Sequence, residues 1–148
     1  MTAMTVPRKI STRGQPINDY DFPVKASAVI LQSALVVLAA GVAISGKTGA
    51  DSTEAGTFQC VGVCQKTVTG GVADGDTMVR VREAQYPFKN STSGDLITAA
   101  DIGKVAYLVD NQTVAKTSAT STRCIAGRIT GVDTDGIVWV KVGPGLAA

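Results

Sequence analysis

Residues 41–48 read Gly-Val-Ala-Ile-Ser-Gly-Lys-Thr and satisfy the eight-residue pattern of a phosphate-binding loop. In such a loop, backbone amides cradle the phosphates and the lysine meets their charge. A working loop follows a buried strand and opens a helix whose first amides point at the ligand. Here the residues between the glycines, Val42, Ala43, Ile44 and Ser45, are mostly apolar and strand-forming, and Gly49-Ala50-Asp51-Ser52-Thr53 is a poor helix start. The spacing predicts a hairpin and a loop, with the match accidental.

The other reactive side chains are as easily accounted for. Asp74/Asp76 and Asp133/Asp135 lie two apart around glycine turns, but neither site supplies the late bidentate acid of a calcium loop. They read as turn residues. Cys60 and Cys64 sit in an apolar run that reads as a strand, where residues four apart share a face about 13 Å apart. A bridge between them would need a bend at Gly62, and Cys124 leaves an odd thiol. All three read as small apolar fillers. There is no histidine, which removes the commonest general base and metal ligand. The chain is expected not to be an enzyme: no catalytic residues, no cofactor and no metal are assigned.

The charge is placed unevenly. Residues 1–25 hold Arg8, Lys9, Arg13 and Lys25 against Asp19 and Asp21, a net +2, and the remaining 123 residues sum to zero. Residues 1–23 show no periodicity and carry Pro7, Pro16 and Pro23, so residues 1–25 are read as an extended N-terminal arm that orders on a partner. Ile10, Ile17, Tyr20 and Phe22 would be its apolar contacts, with Tyr20 and Phe22 as anchors, and Arg8, Lys9 and Arg13 would meet an acidic surface. No secretory pattern is present, and the most apolar run, residues 28–40, is interrupted by Gln32 and Ser33 and falls short of the roughly 20 residues of a membrane helix. No membrane partner is expected, and synthesis in a cytoplasm is.

The body, residues 26–143, reads as short strands between turns, followed by a flexible tail at 144–148. Strands are expected at 33–38, 42–45, 58–64, 77–83, 105–109, 113–116 (after a turn at 110–112), 124–132 and 137–142, with a polar loop over 46–56. Val79 and Val81 should point inward and Met78, Arg80 and Arg82 outward, the period-two pattern of a half-buried strand. One short helical turn is expected near Thr98, with Asp101 three residues on as capping partner and Gly103 as stop. Asp135-Gly136 closes the last hairpin. Spacing leaves open whether Trp139 lies in the core or on a contact surface; with an aromatic share of only 5%, the core is favoured. The fold class is all-β, a small β-barrel or sandwich.

Several stretches, in order, resemble the head decoration (cement) proteins of tailed bacteriophages, small β-barrel proteins encoded next to the major capsid protein. SALVVLAAGVAIS is similar to the family's opening hairpin, and FQCVGVCQKTV followed by DGDTMVRVREAQYPFKN to two later strands. The fullest match is ITAADIGKVAYLVDNQTVAKTSATSTRCIAGRITGVDTDGIVWVKV, which resembles the family's ending. The likeness spans roughly residues 28–142; Cys60 departs from it, and the arm lies outside. It implies a structural virion protein on the outer capsid surface, made in the bacterial host cytoplasm. It would clamp neighbouring capsomers, with the major capsid protein as partner, as a homo-oligomer, a trimer being favoured. Another virion component, such as a tail or fibre part, is the alternative. A nucleic-acid-binding barrel would need a basic groove with exposed aromatics, and the neutral body argues against one; no nucleic acid is expected as partner.

Overall fold

The computed structural model describes residues 18–144. Eleven strands follow one another: β1 (Asn18–Pro23), β2 (Val29–Ile30), β3 (Leu35–Ala39), β4 (Val42–Ser45), β5 (Phe58–Cys64), β6 (Val68–Thr69), β7 (Met78–Phe88), β8 (Val105–Leu108), β9 (Val114–Ala115), β10 (Ile125–Val132) and β11 (Val138–Val142). A single helical turn, α1 (Ser52–Ala55), interrupts what the sequence presents as a loop; Asp51 caps it by accepting the Glu54 N–H at 2.8 Å. The fold is all-β. Nine strands form one sheet in the order β4-β3-β5-β7-β11-β10-β8-β9, with β1 also paired to β7, and β2 and β6 form a small second sheet.

Turn chemistry sets the connections. Ala40 and Gly41 both have positive φ (51° and 91°) and join Ala39 to its partner Val42, the conformation that a two-residue hairpin requires. Gly136 does the same service between β10 and β11, where Asp133 N–H bonds Ile137 O at 2.9 Å. The expected capped turn is present as a 3₁₀ turn, Ala99–Asp101. The Asp101 carboxylate accepts the Thr98 N–H at 2.9 Å and is only 2% exposed. Gly103, at φ 90°, ends the turn.

The spine is β7. Its first half pairs with β1 (Pro23↔Met78 through Asn18↔Glu83) and its second half with β11 (Ala84↔Val142 through Phe88↔Val138). The buried face of β7 changes along its length. Val79 and Val81 are buried in one core, whereas Phe88 is buried in another and Tyr86 packs against it. Since residues of opposite parity lie on opposite faces of a strand, the two cores sit on opposite sides of β7.

β3 and β5 stand between the cores. Leu35 and Val37 face the larger one and Ala34 and Val36 the smaller. On β5 the pairing runs Val36↔Gly62 and then Val37↔Cys60, so Val61 is an extra, unpaired residue. This bulge corrects the expectation that Cys60 and Cys64 share a face. Cys60 belongs to the larger core and Cys64 to the smaller, because one inserted residue reverses the parity. Gly62 occupies φ 139°, and a Cβ there would lie 2.7 Å from Arg82 O.

Each core is closed by a seam. The smaller one is shut where Val24 bridges Ala43, with Lys25 N–H on Ala43 O at 3.0 Å. At the larger one, the β4 end meets the β8–β9 turn through a Lys47–Asp110 bridge and Leu35 N–H on Asn111 O at 2.9 Å.

Two further expectations are corrected. Residues 18–25 are not a ribbon awaiting a partner: β1 is paired along its whole length to its own chain, and Val24 is fully buried. Trp139 is not a core residue. It alternates with buried Val138 and Val140, so it falls on the outer face, where its indole N–H donates to Asp133 Oδ2 at 3.0 Å.

Candidate functional site

Of the seven residues expected to contact a partner, Arg8, Lys9, Ile10, Arg13 and Ile17 lie outside the described residues. Tyr20 and Phe22 are on β1, and their neighbours show what this strand does. Asp19 faces Arg82 and Asp21 faces Arg80 across the β1–β7 ladder. Arg82 donates to both oxygens of Asp19 (2.8 and 3.1 Å), and Arg80 to both of Asp21 (3.0 and 3.1 Å). These are planar two-pronged pairs, the geometry that suits a guanidinium to a carboxylate. Donation from Arg82 holds the Asp19 carboxyl below the usual range, and donation from Arg80 does so for Asp21.

The alternate residues of β1 face the other way. Phe22 packs against the smaller core, and Tyr20 stacks on it with ring centroids 6.4 Å apart. Tyr20 is 37% exposed and donates to Glu83 Oε2 at 3.2 Å. Partial burial, and then this hydrogen bond, raise its pKa. Tyr20 and Phe22 are therefore engaged within their own subunit, and with the two ion pairs they fasten the point where residues 1–17 join the body. The sequence carried a signal for this arrangement: Asp-x-Asp at 19 and 21 and Arg-x-Arg at 80 and 82, two alternating strands of opposite charge.

The chain matches no family model, no curated protein and no solved structure. What it does must be read from its own residues.

The reactive-looking groups are structural. In the phosphate-loop match, Gly41 is a hairpin residue and Val42–Ser45 is β4. A Cβ on Gly46 would lie 3.1 Å from both the Leu108 side chain and Leu35 O. Lys47 pairs with Glu54 at 2.9 Å and lies 5.8 Å over the Phe58 ring, and Thr48 donates to Val109 O at 2.7 Å. Nothing there is arranged around a phosphate.

The turn carboxylates cap backbone. Asp74 accepts from Ala26 N–H at 2.8 Å, Asp76 from Ala73 N–H at 2.9 Å, and Asp135 from Ile137 N–H at 3.1 Å. Among the described residues no group of three or more histidine, cysteine or acidic side chains is placed to hold a metal ion. Burial pushes the Cys60 thiol up to about 12 and Cys124 to about 11, and it raises Cys64 as well. A buried thiol so shifted is a poor nucleophile at neutral pH. No helix among the described residues is long and apolar enough to cross a membrane.

Proposed function

We propose that this chain decorates the outer surface of a tailed-bacteriophage head, where several copies join neighbouring capsomers of the major capsid protein. The observation that carries the reading is the ordered series of motifs over roughly residues 28–142 that resembles the decoration family. In this chain those motifs are the β3–β4 hairpin, β5, β7, the capped turn at 98–103 and the strands β8 to β11. A body with zero net charge over residues 26–148, whose carboxylates and thiols serve the fold, agrees with a part that acts by shape.

Residues 1–17 are the proposed contact segment. They carry Arg8, Lys9 and Arg13 and no acidic residue. The acids nearest to them in sequence, Asp19 and Asp21, are already neutralised by Arg82 and Arg80. That basic charge would meet a partner of opposite sign, which gives steering and specificity. Ile10 and Ile17 add apolar contact. In a homo-oligomer, several such segments make the second and third attachments intramolecular, so modest single contacts sum to a lasting one.

The test is co-sedimentation of purified protein with undecorated heads made from the shell subunit encoded beside it. The full chain is expected to pellet with heads and to raise their resistance to heat. Deleting residues 1–17, and not β1, should leave a folded body that stays in the supernatant. If the shortened chain binds as well as the full one, the contact segment is elsewhere. If the full chain leaves heads bare and instead labels tails in electron micrographs, the decoration reading fails.

A further inference from the structure

We infer that the cleft between α1, β8 and the loop before β10 binds a neutral carbohydrate. The cleft has a volume of about 390 Å³, inside the roughly 300–1,000 Å³ of small-molecule sites. Its apolar lining includes Phe58 and Ile125. Around it stand Ser52 from α1, Gln59 from β5, Tyr107 from β8 and Ser121 from the loop. The three hydroxyls and the Gln59 carboxamide have no side-chain partner among the described residues.

The chemistry of the lining selects the class. Hydroxyls and a carboxamide both donate and accept, which matches sugar hydroxyls. A tyrosine ring offers an apolar body against the C–H face of a pyranose and a polar tip beside it. The one charged lining residue is Arg123, and its charge is spent: Nη1 donates to Asp95 Oδ2 and to Thr117 O, both at 3.2 Å. Its Nε is buried without a partner, so it is closed to a ligand as well as to water. The cleft's one cation thus already has an anionic partner in Asp95, which favours a neutral ligand over an anion.

The rim is built rigidly. Ala119, Thr120 and Ser121 are three consecutive non-glycine residues with positive φ (48°, 59° and 64°), a left-handed turn that L-residues adopt only when the surroundings impose it. Ser118 imposes it here. Its hydroxyl accepts the Ser121 N–H at 3.1 Å, and its carbonyl accepts from Thr122 and Arg123 at 3.0 and 3.1 Å. Thr122 O is tied in turn to Gly49 N–H at 2.8 Å. Such a loop presents Ser121 in one place before a ligand arrives, which lowers the ordering cost of binding.

The inference does not rest on the decoration reading, since a chain that ignores heads can still bind sugar. The experiment is an NMR titration of the isotopically labelled full chain with glucose, galactose and N-acetylglucosamine, and with glucuronic acid as the anionic contrast. Saturable shifts of the Tyr107, Ser121 and Arg123 amides with at least one neutral sugar are expected. Tyr107→Ala should weaken that binding about tenfold or more, while Tyr107→Phe weakens it less. Should Tyr107→Ala fail to fold, Gln59→Ala, at an exposed position, is expected to weaken binding in its place. Absence of saturable shifts with all three neutral sugars, or tighter binding of glucuronic acid, overturns the inference.

Discussion

The two cores differ in what closes them. The larger is walled by β7, β11, β10 and β8, whose inward residues, among them Val138, Val140, Val142, Ala106 and Leu108, are buried. The smaller is closed on one side by β1, none of whose residues is fully buried. β1 is held by its ladder, by Phe22 and by two exposed ion pairs, and exposed pairs contribute little each. The same sheet thus has a wall secured by burial and a strap secured by polar contacts. Opening should begin at the strap, where residues 1–17 join.

The largest effect is expected from the wall. Leu108→Ala removes a fully buried side chain from the larger core and should lower stability by about 2–5 kcal/mol. Ile30→Ala in the smaller core should cost a similar amount, because Val36 and Val37, adjacent on β3, tie the two cores into one cooperative unit. Urea unfolding followed by Trp139 fluorescence and by far-UV circular dichroism should give coincident single transitions in both variants. A separate early transition in Ile30→Ala would break the comparison, showing two units where one is expected.

Next comes the residue that divides the cores. Gly62→Ala places a methyl group 2.7 Å from Arg82 O in a conformation L-residues avoid. It should destabilise by more than about 1 kcal/mol, read as a lower urea midpoint at unchanged slope. An alanine tolerated without loss would mean that the bulge can be ironed out and that Cys60 and Cys64 can share a face.

That bulge marks the limit of what the sequence discloses. The alternation of Val79 and Val81 with Arg80 and Arg82, the Ala40-Gly41 and Asp135-Gly136 hairpins, and the Thr98–Asp101 cap were all legible, because each is local and has a chemical signature. The inserted residue at Val61 has none, since Cys-Val-Gly-Val-Cys alternates as well with a bulge as without one. Trp139 stays open between core and surface in the sequence for a related reason: the period-two pattern gives parity but not which parity is buried, and on β7 the answer changes halfway along. β1 was missed because its residues look polar and unpatterned until Arg80 and Arg82 are set opposite them. The partnership spans about sixty residues, and no local rule reaches that far. The cleft was invisible because its lining comes from α1, β5, β8 and the left-handed loop.

A smaller effect, confined to the strap, is expected in acid. The folded pKa values of Asp19 and Asp21 lie below their ordinary values, so the folded chain binds fewer protons there than the unfolded one. Their contribution is complete above about pH 4 and is lost as pH falls through the lowered values. Asp95 and Asp101, on the side of the larger core, are lowered too, by Thr117 and Arg123 and by the Thr98 N–H respectively, so the whole fold weakens in acid. The strap is distinguished by where the loss appears. Corrected for intrinsic rates, hydrogen exchange of the β1 amides should lose protection with falling pH before the β11 amides do. In the Asp19→Asn, Asp21→Asn double variant, the β1 amides should be less protected than in the parent already at neutral pH, and high salt should narrow the gap between variant and parent. Equal loss in β1 and β11 would erase the distinction between strap and wall.

The smallest change sharpens the comparison furthest. Tyr20→Phe keeps the ring stacked on Phe22 and removes only the donor to Glu83 Oε2. The bond is 3.2 Å long, on a ring more than a third exposed, and the hydroxyl regains water when the strand opens, so little net free energy is at stake. The urea midpoint should not move measurably. The β1 amides should nonetheless exchange faster, because local opening costs less than global unfolding and registers a loss too small for the midpoint to show. Unchanged β1 exchange would mean that the strap opens only when the whole molecule does. The polar contacts would then be ornament on a strand held by its ladder alone, and residues 1–17 would spring from a wall as firm as the other.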